Sequence, residues 1–169
     1  MGAHDNIPRV YKPTWVANNF LMRGSETGQR IDPLKIQKLV YCFHGWHLAI
    51  TGSPAVGERF EAWPHGPVLS SLYHTFKHYK FTAITQLASD VDPRTGKTVA
   101  SYVSDPHSQF DDIFSLVWER YGGLSGTQLS AMTHADGTPW SKARSTGLQY
   151  IPDRDIREHF VQLARQVQA

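Results

Sequence analysis

Four of the nine histidines, the single cysteine and a few acids are the residues whose types and spacing could support chemistry. His44 and His47 stand three apart, a separation at which two imidazoles on one helix can take two corners of a metal site. Glu58, Glu61, His65 and His134 are the side chains that could supply a third ligand. No acid directly follows the first histidine, as the zinc-protease pattern requires, and His47 falls in an apolar stripe. Packed, hydrogen-bonded core histidines are the plainer reading of this pair. Cys42 would need a base and an electropositive opening to act as a nucleophile, and on a helix His44 would point away from it. Ser125 and Ser141 lack the context of a nucleophile elbow, no glycine-rich phosphate loop follows a strand, and no paired carboxylates stand out. The pattern therefore carries no enzyme signature and names no metal or cofactor. His65 and His134 differ from the other pair in sitting in tight turns among Trp, Gly and Pro, where a rigid scaffold often displays function. The plainer alternative is that Trp63 and Trp140 plug the core while both histidines bond turn backbone.

The stretch that must position these residues is Asp32 to Ile50, which reads as one helix capped by Asp32 with Pro33 in its first turn. Ile36, Leu39, Val40, Phe43, Trp46, His47 and Ile50 form one apolar face; Leu34, Gln37, Tyr41, His44 and Leu48 form a second. Only Lys35 and Lys38 are expected to reach water, so the helix belongs at the centre of the fold. Cys42, Gly45 and Ala49 cluster on the helical wheel, and a mid-helix glycine, costly by about 1 kcal/mol relative to alanine, implies a close crossing there.

The other elements are shorter. Thr14 to Arg23 reads as a first helix, with Gly24, Ser25 and Gly28 in the loop after it. Glu58 to Trp63 reads as a short strand ended by Pro64. Pro67 then suits the first turn of a helix that reaches Tyr79, burying Leu69, Leu72, Tyr73 and Phe76 and leaving His74, Lys77 and His78 outside. Lys80 to Pro106 reads as a loose hairpin around a Pro93-Arg94-Thr95-Gly96 turn. Phe110 to Tyr121 is a helix closed by Gly122, and Ser125 with Gln128 forms a capping box for the next. A further short helix starts at Pro139, and Asp153 caps a last one carrying Ile156, Phe160, Leu163 and Val167. The fold class is mainly α (α+β): a single compact helical domain around a central buried helix, with a small β-hairpin or short-strand element. Residues 1–12 are a lead-in and residues 13–169 form the domain.

The formal charge is only +2, and apart from His74, Lys77, His78 and Lys80 the basic residues are dispersed, which argues against nucleic acid as the main partner. One cysteine excludes an internal disulfide and suits a reducing compartment. No leader and no apolar run of about eighteen residues is present, so the expected location is the cytoplasm, with no membrane partner. Five Trp, seven Tyr and eight Phe exceed what a minimal core requires, a surplus shared by ligand pockets and protein interfaces.

Three segments together resemble a known family. Lys38-Leu39-Val40-Tyr41 lies in the early helix, Phe60-Glu61-Ala62-Trp63-Pro64-His65-Gly66-Pro67-Val68 follows with Tyr73 beyond it, and Leu129 to Trp140 reads LSAMTHADGTPW. In this order and spacing they are similar to the Panacea antitoxin domain of phage-associated GepA-type and SocA-type proteins, over about residues 15–150. The resemblance implies a non-enzymatic antitoxin of a toxin-antitoxin system, binding a protein toxin encoded next door. It carries over no cofactor and no catalytic residue. It also implies two roles for one domain type: masking many unrelated toxins, or, in the SocA-type member, delivering the toxin to a protease as an adaptor. The length leaves no room for the DNA-binding domain that some relatives add. The shared residues Lys38, Leu39, Tyr41, Phe60, Ala62, Trp63, His65, Gly66, Pro67, Val68, Tyr73, His134 and Trp140 serve as scaffold or partner contacts. His74, Lys77, His78 and Lys80 form the candidate partner surface. The rival from another class is an unrecognised metal-dependent enzyme using His44, His47, His65 or His134. Oligomeric state is not specified by any of these features.

Overall fold

The computed structural model describes residues 10–167. The expected lead-in therefore lies mostly outside the described residues; its end is tied down where the Tyr11 amide donates to the Ala55 carbonyl at 2.7 Å. Seven α-helices and two small antiparallel ribbons make up the described fold.

Helix α2 (Pro33–Thr51) is the axis. The Asp32 carboxylate accepts the Lys35 amide as its N-cap, and fourteen consecutive residues, Lys35 to Leu48, are buried. Around it pack α1 (Pro13–Thr27), α4 (Phe110–Tyr121), α5 (Gly126–His134) and α7 (Asp153–Val167). The close crossing expected at Gly45 is made by α7: a Cβ there would overlap the Phe160 ring. Phe160 also meets Tyr41 and Trp46 edge-on, with centroids 5.9 and 5.7 Å away. Asp153, expected as the cap of the last helix, is instead the first residue of α7, and its carboxylate engages His44 Nε2 at 2.8 Å.

Both lysines expected to reach water are buried instead. Lys35 Nζ donates to the Gly122 carbonyl at 2.6 Å, at the negative end of α4, and Lys38 Nζ donates to the Pro67 carbonyl at 3.1 Å. Each long apolar stem runs through the core to an acceptor from another element, which is how an ammonium so placed is satisfied.

Helix α1 continues through Gly24 and Ser25 to Thr27 and ends at Gly28 in the left-handed conformation, so the loop is shorter than expected. Within the helix Gly24 makes room for Ile31, since a Cβ there would come within 2.8 Å of that side chain.

The segment read as strand, turn and helix start is a hairpin, β1 (Glu61–Trp63) with β2 (Gly66–Val68), in the register Glu61↔Val68, Ala62↔Pro67, Trp63↔Gly66. Pro67 is thus a strand residue, tolerated because a two-stranded ribbon has no central ladder to interrupt. Helix α3 (Ser70–Phe76) starts three residues later and passes into a 3-10 turn at Lys77–Tyr79. Tyr73, expected inside, is 42% exposed and leans on Trp63.

The second ribbon, β3 (Asp90–Val91) with β4 (Thr98–Val99), falls where a hairpin was expected. Two side-chain amides of α1 clamp its flanks. Asn18 bonds both backbone groups of Ala88 and the Ser101 carbonyl, and Asn19 bonds both backbone groups of Val103. The capping box of Ser125 and Gln128 forms as read, and α6 (Pro139–Ser145) is capped by the Thr138 hydroxyl.

Candidate functional site

The three motif segments converge on the β1/β2 hairpin. A ribbon of two three-residue strands is unstable alone in water, so its free carbonyls need partners from elsewhere. Helices α2, α5 and α6 supply them. Trp140 Nε1 donates to the Trp63 carbonyl at 2.7 Å, Arg144 to the Ala62 carbonyl at 3.2 Å, and the Ser130 hydroxyl to the His65 carbonyl at 2.8 Å. Lys38 takes the Pro67 carbonyl from below. The Gln37 side chain bonds both backbone groups of Leu69, at 2.9 and 3.0 Å.

Gly66 explains the glycine of the second motif. Its φ is +114°, and a Cβ would lie 2.6 Å from Lys38 Cε and 3.0 Å from the Thr133 hydroxyl. The hairpin can approach the buried lysine only because that atom is missing. Burial lowers the Lys38 pKa to about 8, and the nearby Cys42 thiol opposes the fall.

His134 stacks on Trp140 with ring centroids 4.2 Å apart. Its Nε2 is shielded from solvent and has no hydrogen-bond partner in the structure. Burial and then the Lys38 charge lower its pKa. On the outer side, Trp63 and Tyr73 meet edge-on at 4.9 Å, and Tyr73 touches His74 at 5.4 Å. His65, His74, Lys77, His78 and Lys80 are all exposed.

The remaining motif residues are core. Leu39, Tyr41, Phe60, Ala62, Pro67 and Val68 are buried, and Tyr41 packs edge-on against Phe60 at 5.2 Å. Of the four histidines weighed as ligands, His44 engages Asp153, His47 engages the Ser53 carbonyl at 2.7 Å, and His134 stacks on Trp140 with the backbone of the exposed His65 beside it. Among the described residues, no three His, Cys, Asp or Glu side chains come together as metal ligands. Burial pushes the Cys42 thiol up to about 12, so no thiolate forms near neutral pH.

Sequence reasoning missed Gln37, Ser130 and Arg144, which hold the hairpin as directly as the motif residues do. Ser130 does lie within the LSAMTHADGTPW stretch. Gln37 offered the signal of an amide on an otherwise apolar face; Arg144 offered none.

The buried lysine, the Trp-Pro-His-Gly-Pro hairpin, the Thr133-His134 end of α5 and the Pro139-Trp140 start of α6, which lock together in this mainly helical domain, all fall within the stretch that a family model matches. The SocA-like antitoxin model, Panacea domain, matches residues 36–141, and the chain belongs to that family. A relative is Antitoxin SocA of Caulobacter vibrioides (strain NA1000 / CB15N), 35% identical over 126 residues. The match covers 74% of this chain and 66% of that protein's length. No solved structure matches. Among the described residues, no helix is long and apolar enough to cross a membrane.

Proposed function

We propose that this chain is a cytoplasmic, non-enzymatic antitoxin that neutralises a protein toxin encoded by the neighbouring gene, by binding and masking it. The observation that carries this reading is where the polar groups around the hairpin are spent. Lys38 and Trp140 of the shared motifs, joined by Gln37, Ser130 and Arg144, donate to the backbone of the hairpin and of Leu69 just after it, so together they build a rigid platform, with His65 the shared histidine left exposed on it. Function then falls to what the platform displays. The rim of Trp63, His65 and Tyr73, continued by His74, Lys77, His78 and Lys80, is the partner surface, with Trp63 and Tyr73 as aromatic anchors of the kind that dominate interface energies. Partner choice lies in the unshared part of this surface, His74, Lys77, His78 and Lys80, and in residues 80–106, which lie outside the shared motifs.

The test is co-expression of the neighbouring reading frame with and without this chain, in wild-type and protease-deficient hosts. Growth arrest by the neighbour alone, relieved by this chain in both hosts, is the expected result. A neighbour harmless on its own would overturn the reading. Relief confined to the protease-proficient host would replace masking by delivery to a protease.

A further inference from the structure

The side chain of Phe81 is 90% exposed, the most exposed large apolar side chain among the described residues. A single exposed hydrophobe is ordinary, but this one is held in place on both sides. Arg30 donates to the Phe81 carbonyl at 2.9 Å, the Thr82 amide and hydroxyl both return to the Tyr79 carbonyl, and the Ile84 amide donates to the Ile31 carbonyl at 2.8 Å. The residue before it, Lys80, has φ 54° and ψ −109°, and is the one non-glycine residue with positive φ among those described. Such a conformation is disfavoured for a lysine and persists only where its surroundings impose it. The chain thus spends backbone strain to aim a phenyl ring into water.

Two residues further along the chain, residues 83–87 and the end of α1 enclose a cleft of about 550 Å³, with Leu21, Met22, Ile31, Ile84 and Leu87 in its walls and Arg30, which holds the Phe81 carbonyl, at its edge. Along the chain the formal charge flanking the ring has one sign: from Ala62 to Ser89 there is no acidic residue, while Lys77 and Lys80 precede the phenyl on the turn after α3, with His78 between them and His74 in the helix itself. The flanking carboxylates are engaged: Glu58 by the Ser71 amide, Glu61 by Gln149, Asp90 by Lys12, and Glu26 at the cleft by Arg23.

We infer that Phe81, presented by the Lys77–Lys80 turn just before the cleft segment in the chain, is the anchor for a protein partner offering an apolar pocket rimmed by carboxylates. The inference rests on the antitoxin reading and names, for that surface, the residue that seats the toxin and the chemistry the toxin must bring. A protein is favoured over nucleic acid because the centre of the patch is an apolar ring followed in the chain by the wall of an apolar cleft, with the cations preceding it.

The experiment measures affinity between the full chain and the purified product of the neighbouring reading frame. The variants are Phe81→Ala, Lys77→Glu with Lys80→Glu, and Leu148→Ala in a separate cleft as the control. Phe81→Ala is expected to weaken binding by about 30-fold or more, the scale of an interface hot spot, with an unchanged melting temperature because the ring packs on little. The double charge reversal is expected to slow association most at low salt, and Leu148→Ala to bind like wild type. Affinity within about two-fold of wild type for Phe81→Ala would overturn the anchor while leaving antitoxin function standing. So would duplex DNA displacing the partner, or a dimer of the free chain that Phe81→Ala dissolves. A wild-type chain that fails to bind the neighbour would overturn both the antitoxin reading and the anchor that rests on it.

Discussion

Replacing Lys38 by methionine nearly keeps the side chain's length and removes its charge. In the folded protein the ammonium is fully buried, donates to the Pro67 carbonyl, and has its pKa lowered from 10.5 to about 8 because burial penalises the charged form. Between those two values the unfolded chain binds more protons than the folded one, so stability rises with pH across the window. The full displacement corresponds to about 3 kcal/mol, most of it gained between about pH 7 and about pH 10. Lys38→Met lacks this gain. It also leaves the Pro67 carbonyl without a donor, a loss of about 1–3 kcal/mol that does not vary with pH. Denaturant unfolding of both proteins at the two pH values isolates the lysine, because groups common to both cancel in the difference. Cys42, held up at about 12, stays a thiol throughout. Near pH 7 the variant is expected to match wild type closely, since removing a buried ammonium offsets the lost hydrogen bond. Near pH 10 it is expected to fall behind by about 2–3 kcal/mol. A difference between the proteins that stays constant with pH would refute a charged, buried Lys38.

Gly66→Ala places a Cβ 2.6 Å from Lys38 Cε at a φ of +114°, and is expected to cost at least about 2 kcal/mol in denaturant unfolding. Gly45→Ala drives a Cβ into the Phe160 ring and is expected to cost about 1–3 kcal/mol. Combined with Phe160→Ala it should cost less than the two single losses added, a coupling read from a double-mutant cycle. Asn18→Ala removes the clamp on Ala88 and Ser101, and faster hydrogen exchange at the Ala88 amide is the expected signature.

What could be read from the sequence was local. The Asp32 cap, the Ser125–Gln128 capping box and the Gly122 stop each depend on residues within one turn, and all three formed. The α2 pattern placed that helix at the centre, and Gly45 located a close contact without naming Phe160. The errors came from partners distant along the chain. Lys38 reads as a water-seeking cation until a carbonyl twenty-nine residues away accepts its hydrogen bond. Pro67 fits a helix start as well as a ribbon strand, and only the side chains of α2, α5 and α6 decide between them. The clamp from Asn18 and Asn19 to residues 88–103 was invisible for the same reason. The motif segments hold the hairpin's strand and turn residues, whereas the side chains of Gln37 and Arg144 that fix its backbone lie outside them.

Mixing the purified chain with the purified product of the neighbouring reading frame, free of any protease, tests the antitoxin role most directly. Toxin activity is titrated against added chain. Under masking by direct binding, activity falls linearly and vanishes near one chain per toxin. Full toxin activity in the presence of excess chain would contradict it.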